Sequence, residues 1–349
     1  MQNIEELYLL LGNFCNTTCR HCLQTKVKDF YVTNRDFSSD VFSFIKKWSN
    51  YQPYGKIYFW GGEPLIYWNT IVNTTKQILE INPKFSLILW TNGLLLTQDI
   101  VDFLNQHNFK VILSYDMPNP SAVRNDVPSE DKIQLFMKCN NRGVNSVICG
   151  LNYDIGLMYD MLYAKFPNSD IYTHFLNDTF GSMPEDIKLK KNMIRKAIFK
   201  LADEIKKGYD TINHDKLKFI GNKIIVSAYN KNSVVMSNCG SGITKFSVDY
   251  DGNIFACHSS HWKIANINEP VNIIRSKFKK AFLRKLSDKC LSCPVVSLCH
   301  GGCPIAPRNS DGTILMCDVY KEYYSSCLDV FEQGVLPLNL LKQLSERKL

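Results

Sequence analysis

The chain has 349 residues, enough for one large domain or two ordinary ones. An apolar fraction of 45% and a charged fraction of 21% are typical of globular proteins. No run approaches the roughly 20 uninterrupted apolar residues that cross a membrane, and the basic residues behind the net charge of +8 are too scattered to indicate a nucleic-acid partner. The N-terminus carries acids where a signal peptide carries basic residues, so we expect an untargeted, cytoplasmic protein without membrane contact.

The chain contains thirteen cysteines. A reducing compartment keeps thiols free, so a cytoplasmic protein does not use them as a disulfide framework. The cysteine count therefore favours metal binding.

From residue 7 to about residue 207, short β-rich runs alternate with longer helical patterns. Strands are predicted at 7–11, 56–60, 86–90, 110–115, 146–152 and 171–176. Helices are predicted at 38–50 (with Ser39 or Asp40 as N-cap), 68–82, 97–108, about 129–142, 155–165 and 185–207. The strands are nearly continuous apolar runs, so these six β–α units predict an α/β fold with a parallel sheet, open or closed into a partial barrel.

Polar motifs follow four of the predicted strands, at Cys15, 61–64, 91–93 and 114–116. Parallel sheets of this kind carry their chemistry at the carboxyl ends of the strands. We therefore expect the active site at that edge, although "TNG" at 91–93 is more often a turn than a ligand.

The pattern changes near residue 209, after which helices become scarce and cysteines dense. This predicts a barrel domain at 1–208, a bridging segment at 209–225 and a cysteine-rich domain at 226–349.

Three cysteines in "CNTTCRHC", Cys15, Cys19 and Cys22, lie on one short loop after the first strand. Zinc sites usually pair two CxxC motifs, and no second pair follows closely here. Three thiolates on a cubane cluster would leave one iron open, and an open coordination position marks a reactive centre.

This motif resembles that of the radical S-adenosylmethionine (SAM) enzymes, in which the open iron binds SAM. The resemblance extends to "GGEP" (Gly61, Gly62, Glu63, Pro64), which in that family approaches the SAM amino group. It further implies ribose contacts from Ser114 and Asp116, a carboxylate contact from Arg124, and packing of His21 near the adenine.

Seven more cysteines lie between residues 239 and 317, and "DYDGN" predicts a hairpin turn that brings Cys239 and Cys257 together. This arrangement resembles the SPASM domain of radical SAM enzymes, with two auxiliary 4Fe–4S clusters. The complete architecture implied is a partial (β/α)6 TIM-like barrel with a C-terminal SPASM domain and three 4Fe–4S clusters. A structural zinc ribbon is the alternative for this cysteine set.

The resemblance divides the auxiliary ligands into an outer and an inner set. The outer set is Cys290, Cys293, Cys299 and Cys317; the inner set is Cys239, Cys257 and Cys303. The inner cluster then has an open iron or takes a ligand such as His258, Asp249 or Cys327.

The remaining cysteines lie outside these motifs. Cys139 and Cys149 fall in a helical and a strand pattern and are interpreted as core residues. Cys327 is a core residue, a ligand or a hydrogen-atom donor. The catalytic acid or base is not determined; Asp116 and Cys327 are the candidates, and Tyr115, Tyr172 and His174 either face the cavity or pack in the core.

Most SPASM-bearing relatives modify peptides, so the resemblance implies a maturase that cross-links a ribosomally made precursor peptide through a C–C cyclophane or thioether bond. Peptide epimerisation and formylglycine formation on sulfatases are the enzymatic alternatives. Related sulfatase maturases place an acid after the second SPASM cysteine, where this chain has His258. An iron–sulfur electron carrier is the non-enzymatic alternative.

The implied reductant is a flavodoxin or ferredoxin. Because only fourteen residues precede Cys15, leader recognition is expected from the SPASM domain, the basic surface or a separate leader-binding protein.

Overall fold

The computed structural model describes residues 4–23, 35–176, 178, 181–207, 216, 219–220, 239–260, 262–282 and 286–334. The predicted bridging segment, 209–225, lies outside these residues except at positions 216, 219 and 220. Within the described ranges, no helix is both long and apolar enough to cross a membrane.

Among these residues, nine strands form one sheet. They are β1 (Glu6–Gly12), β2 (Lys56–Gly61), β3 (Ser86–Thr91), β4 (Lys110–Ser114), β5 (Asn141–Ile148), β6 (Asp170–Phe175), β7 (Lys245–Val248), β8 (Asn253–Phe255) and β9 (Lys263–Asn266).

The sheet order is β6-β5-β4-β3-β2-β1-β7-β8-β9. Strands β1 to β6 pair in parallel, as predicted, and β7 pairs in parallel with the opposite side of β1. Strands β8 and β9 add antiparallel pairs. The sheet thus continues from the predicted barrel into the cysteine-rich region.

The "DYDGN" turn joins β7 to β8 as a hairpin. Gly252 adopts a φ of +75°, a conformation that glycine reaches without strain. The Asp249 carboxylate accepts hydrogen bonds from the Asp251 and Asn253 main-chain N–H groups and from the Asn253 amide at 2.8–3.0 Å. The predicted hairpin is confirmed.

Helices connect the parallel strands and cover one face of the sheet. The helices are α1 (Ser39–Ser49), α2 (Trp68–Ile81), α3 (Gln98–Gln106), α4 (Glu130–Met137), α5 (Ile155–Lys165), α6 (Lys191–Lys207), α7 (Val271–Phe282), α8 (Asp288–Leu291), α9 (Val296–Cys299) and α10 (Cys317–Glu332). Most place apolar residues every three or four positions, and these residues pack on the sheet. The α/β class and its parallel sheet are confirmed.

Alternation along the strands separates two apolar clusters. In β1, Leu7, Leu9 and Leu11 belong to the main core beneath the helices. Tyr8 and Leu10 point to the other face and form a second, smaller cluster with Phe255. The sheet is therefore apolar on both faces.

The second face is the inside of a curved sheet. His174 on β6 lies close enough to His258, which follows β8, to affect its pKa, although these strands lie toward opposite ends of the sheet order. Such proximity requires the sheet to curl around the space between them. We call this space the lumen.

Three predicted boundaries differ from the structure. Strand β5 begins at Asn141, five residues before the predicted start, because pairing with β4 overrides the low strand propensity of its first residues. Helix α4 ends correspondingly earlier, at Met137. The N-cap of α1 is Ser38.

The predicted helix at 185–207 is also interrupted. It consists of a single 3-10 turn, Glu185–Ile187, followed by extended residues before α6 begins at Lys191. The Ile187 carbonyl accepts a hydrogen bond from the Gly150 N–H at 2.8 Å instead of continuing the helix.

Candidate active site

The three N-terminal cysteines lie on the loop that leaves β1 at the carboxyl edge of the sheet. Their thiols are partly exposed and form no disulfide with one another. A turn brings Cys22 toward Cys19, whose carbonyl accepts the Cys22 N–H at 3.2 Å. Burial raises the pKa of Cys19, Arg124 lowers it and the neighbouring thiols raise it, which together bring it to about 11. The loop therefore gathers three thiols in one place, as the spacing predicts.

The GGEP turn after β2 packs directly against this loop. Gly62 N–H donates to the Gly12 carbonyl and Glu63 N–H donates to the Phe14 carbonyl, both at 2.8 Å. A Cβ atom on Gly62 would lie 2.3 Å from the Phe14 carbonyl oxygen, and one on Gly61 would lie 2.4 Å from the Gly12 carbonyl oxygen. Only glycine permits this approach of two main chains.

Glu63 joins the ends of β2 and β3. Its buried carboxylate accepts hydrogen bonds from Leu65 N–H at 3.0 Å, the Thr91 hydroxyl at 2.8 Å and Asn92 N–H at 2.7 Å. Burial raises the pKa of Glu63 to about 7, although these three donors oppose the rise. Pro64 begins the 3-10 turn that Glu63 caps, so both residues shape the turn.

Asn92 belongs to the TNG motif at 91–93, which the sequence places at this edge as a turn, and it also contacts the cysteine loop. Its Nδ2 donates to the Asn16 side chain at 2.8 Å and lies 3.8 Å from the Cys15 sulfur. Its Oδ1 accepts from Leu94 N–H at 3.0 Å, which is the turn role expected for such a residue. The only signal in the sequence was its position after a strand.

The segment after β4 holds the other side of the cysteine loop. The Thr17 hydroxyl donates to Asp126 at 2.7 Å, and the Asn125 amide donates to Thr18 at 2.6 Å. Arg20 N–H donates to the Val123 carbonyl at 2.9 Å. Residues distant in sequence thus fix the loop on both sides.

Arg124 and Asp116 form a buried ion pair beside Cys19. Arg124 Nε lies 2.7 Å from Asp116 Oδ2, and Arg124 Nη1 lies 3.7 Å from the Cys19 sulfur. Asp116 Oδ1 accepts from Val147 N–H at 2.7 Å. Burial alone would lower the pKa of Arg124, but the charges of Asp116 and the cysteines raise it. The Arg124 side chain is thereby held charged beside the loop.

His21 completes this group. Its Nε2 lies 3.7 Å from Asp116 Oδ2, and burial lowers the pKa of His21 to about 4 despite the opposing charge of Asp116. The structure therefore brings His21, Asp116 and Arg124 together, as the resemblance implies.

We expect Asp116→Asn to destabilise the protein by about 3–5 kcal/mol, because Arg124 then keeps a buried charge without its counter-ion. Urea denaturation followed by circular dichroism measures this change. If Asp116 positions Arg124 toward SAM, the dissociation constant of SAM also rises. Asp186→Asn is the control, because Asp186 pairs with Arg20 at the surface, where ion pairs contribute little. Equal effects of the two substitutions would contradict the assignment.

The other candidates occupy different faces of the sheet. Ser114 ends β4 and is half-buried on the lumen side, while Tyr172 and His174 of β6 are accessible from the lumen. Tyr115 instead packs edge-on against Phe166, in the core beneath the helices. Of these tyrosines, only Tyr172 remains a candidate for substrate contact.

The cysteines of the C-terminal region lie in two neighbourhoods. Cys257 lies near Cys239 and Cys303, and their thiols add to the effect of burial in raising the pKa of Cys257 to about 12. Cys299 lies near three other thiols, which add to the effect of burial in raising the pKa of Cys299 to about 11. These thiols belong to Cys317, Cys290 and Cys293. The two groups are neighbours, because one thiol from each, Cys303 and Cys299, raises the pKa of Tyr320 on α10.

Two of the suggested extra ligands are committed elsewhere. The Asp249 carboxylate is used by the β7–β8 hairpin, and Cys327 is buried in the core on α10, hydrogen-bonded with Tyr323. Cys139 and Cys149 are each 1% exposed, as expected for core residues. Cys327 consequently lacks the access that a hydrogen donor to substrate needs.

A single metal ion and a cubane cluster require different spacings of the thiol sets. Among the described residues, no three Cys, His, Asp or Glu side chains converge closely enough to hold one metal ion. A cubane is larger than an ion and needs its thiolates farther apart, and its ligands are usually all cysteine. Thiols outside any disulfide, grouped as three, three and four, suit this requirement.

A concave parallel sheet, with a cysteine loop and a glycine-rich turn at its carboxyl edge, defines the class of the protein as an α/β barrel enzyme. Residues 9–159 match the family described as the Radical SAM superfamily. These residues therefore form a radical SAM domain.

Relatives with assigned activities align over most of the chain. The radical SAM cyclopropyl synthase TigE of Paramaledivibacter caminithermalis is 24% identical over 369 aligned residues, which cover 92% of this chain and 73% of TigE. A cysteine-type anaerobic sulfatase-maturating enzyme of Clostridium perfringens is 22% identical over 346 residues, which cover 89% and 92% of the two chains.

Solved structures share the fold. The AdoMet-bound structure of native anSMEcpe superposes with a TM-score of 0.72 at 17% identity, covering 97% of this chain and all of that one. SuiB of Streptococcus suis, bound to its precursor peptide SuiA, superposes with a TM-score of 0.64 at 17% identity, covering 89% and 76%. The predicted fold and enzyme class are confirmed.

Proposed function

We propose that the protein is a radical SAM/SPASM maturase that cross-links a ribosomally made peptide. The observation that carries the proposal is the backbone pairing of the cysteine loop with the GGEP turn at the mouth of the lumen. An electron carrier has no need of such a turn beside its cluster. The described part of the cysteine-rich region also contributes a lumen residue, His258, directly after Cys257.

We assign one 4Fe–4S cluster to Cys15, Cys19 and Cys22, and two auxiliary clusters to the inner and outer cysteine sets. SAM would lie against Gly61, Gly62 and the segment from Ser114 to Arg124. In this arrangement Arg124 offers a charged partner for the SAM carboxylate, and Asp116 fixes its direction. Glu63 and Asn92 hold the two loops that form the floor of the site.

SAM bound at such a cluster supplies, after one-electron reduction, a 5′-deoxyadenosyl radical that abstracts a hydrogen atom from substrate. The residues of the chain orient the substrate and exclude water. Burial of His21 and of the Asp116–Arg124 pair keeps this edge of the site dry.

The inner cysteine set contains three thiols, one fewer than a cubane can bind. Asp249 and Cys327 are committed elsewhere, and residues 221–238, outside the described ranges, contain no Cys, His, Asp or Glu. His258, which packs between Tyr8 and Trp60, is the remaining suggested ligand. An open iron here would suit a substrate thiol and hence thioether formation, beside the C–C cyclophane alternative.

Formylglycine formation is the second candidate, because sulfatase-maturating enzymes align along nearly their full length with this chain. Against it stands His258, at the position where the resemblance expects an acid. Peptide epimerisation is a further alternative within the same chemistry.

Anaerobic reconstitution with iron, sulfide, SAM and dithionite tests the proposal. We expect about twelve iron atoms per chain, as three cubanes require, and formation of 5′-deoxyadenosine. With a co-expressed precursor peptide, mass spectrometry would show the loss of two hydrogens per cross-link. No mass change would indicate epimerisation, and the loss of two hydrogens together with exchange of cysteine sulfur for oxygen would indicate formylglycine. Iron without 5′-deoxyadenosine would favour the electron carrier, and zinc would contradict the clusters.

The two auxiliary sets should lose iron independently. We expect Cys257→Ala and Cys290→Ala each to remove about four iron atoms per chain, and the double variant about eight. Iron analysis and electron paramagnetic resonance of the reduced proteins measure this. A single variant that loses about eight iron atoms would contradict the division into two sets.

The partners follow from the same proposal. A flavodoxin or ferredoxin would supply the electron, and a separate leader-binding protein or the basic surface would recognise the precursor. Free thiols and iron–sulfur clusters both require a reducing compartment, so we place the protein in the cytoplasm.

A further inference from the structure

A wall of aromatic rings lines one side of the lumen. Tyr8 stacks between Tyr58 and His258, with ring centroids 4.4 and 4.6 Å apart and interplanar angles of 4° and 13°. Trp60 meets His258 edge-on at 4.3 Å and continues to Trp90 at 5.4 Å. We call these five residues the aromatic wall. It spans the neighbouring strands β1, β2 and β3 and the loop after β8.

The aromatic wall is separate from the hydrophobic core. The cluster of Tyr8, Leu10 and Phe255, with Tyr58 and Trp60 packed on it, does not join the core beneath the helices. Tyr58, Trp60, Trp90 and His258 are all half-buried rather than closed off. Large aromatic surfaces that stay partly accessible inside a cavity are typical of ligand sites.

Polar atoms next to the wall have no partner within the described residues. The indole N–H groups of Trp60 and Trp90 are buried without an acceptor, and Asn145 Oδ1, two strands from Trp90, is buried without a donor. Buried polar groups are normally paired, and an unpaired group costs about 1–3 kcal/mol. A peptide group carries one acceptor and one donor, which are the partners that these atoms lack.

The charges around the wall do not favour a cationic ligand. Glu6 is the carboxylate that raises the pKa of Tyr8 and Tyr58. It forms an ion pair with Lys245 at 2.9 Å. On the far side, Asp170 is paired with Lys110. An aromatic cage for a cation would need free negative charge or an unopposed ring face, whereas both carboxylates near the wall are already paired with lysines.

We propose that the aromatic wall binds an aromatic side chain of the substrate peptide, and that Trp60 and Trp90 determine this specificity. Stacked and edge-on aromatic contacts favour a planar uncharged ring over an aliphatic chain of similar size. The proposal rests on the proposed function for the identity of the ligand as a peptide. It adds the class of side chain that the lumen selects.

The test measures binding without chemistry, on the reconstituted full chain with SAM. The probes are N-acetyl amides of tryptophan, tyrosine, leucine and lysine, compared by saturation-transfer NMR titration. We expect the two aromatic amides to bind about threefold to tenfold more tightly than the leucine amide, and the lysine amide most weakly. Trp60→Ala and Trp90→Ala should each remove most of this preference.

Two further variants distinguish the loss of a ring from misfolding of the protein. Trp60→Phe keeps a ring and should keep the preference, and Trp262→Ala, an exposed tryptophan at 45% accessibility, should leave it unchanged. Equal binding of leucine and aromatic amides, preference for lysine, or an unaltered preference in both alanine variants would overturn the proposal. Formation of 5′-deoxyadenosine, measured in parallel, reports on the proposed function separately.

Discussion

Replacement of Cys19 by alanine is expected to abolish 5′-deoxyadenosine formation and to lower the iron content by about four atoms per chain. Cys19 lies in the middle of the cysteine loop, and its sulfur contacts Arg124 Nη1 at 3.7 Å. Two remaining thiols would hold a cubane through only two irons, and the cluster would be lost from a partly exposed loop. Iron analysis, electron paramagnetic resonance and chromatography of the nucleoside product measure the outcome.

Cys139→Ala is the matched control. Cys139 is 1% exposed, just after α4, and belongs to the core beneath the helices. Its substitution removes one buried sulfur and is expected to leave iron content and SAM cleavage unchanged. The assignment of the cluster would fail if the Cys19 variant kept its full iron complement, or if the Cys139 variant lost as much.

Gly62→Ala is expected to abolish SAM cleavage while the proposed auxiliary clusters remain. Its Cβ would lie 2.3 Å from the Phe14 carbonyl and 2.6 Å from the Asn13 carbonyl. These are main-chain atoms of the cysteine loop, so the strain cannot be relieved by a side-chain rotation. Overpacking of this kind costs about 1–3 kcal/mol, and relief requires the loop and the GGEP turn to separate. Spectra of the reduced protein should then no longer change on addition of SAM.

Gly334→Ala provides the comparison for glycine strain alone. Gly334 has a φ of +69° after α10, and a Cβ atom added there would have no neighbour within 4 Å among the described residues. Alanine at this position is strained by its backbone conformation only, and SAM cleavage should be preserved. If Gly62→Ala retained SAM cleavage, the close approach of the two loops would not be required for the reaction.

Much of the fold could be predicted because strand composition is a local property. The apolar runs at β1, β2, β3 and β4 have hardly any alternative to a buried parallel strand, and their predicted positions agree with the structure within about a residue. Strand β5 was misplaced because Asn141, Arg142 and Gly143 have low strand propensity. Their pairing with β4 is a tertiary contact that no local pattern reveals.

The candidate site divides in the same way. The cysteine spacing and the GGEP turn identified the loop, because ligand type and order along the chain are written in the sequence. The contributions of Asn92 and Asp126 could not be predicted, since each reaches the loop from the end of another strand. The aromatic wall could not be predicted either, because its rings are separated by up to two hundred and fifty residues in the sequence and come together only in the folded sheet.

The sequence by itself determined most of the parallel strands, the number and spacing of the thiols, and the enzyme class that they indicate. Only the tertiary structure decided that Arg124 is held by Asp116 and that one wall of the lumen is aromatic. The physical reason is that ligand identity depends on residue type, whereas charge pairing, packing and access depend on distances that the curvature of the sheet sets.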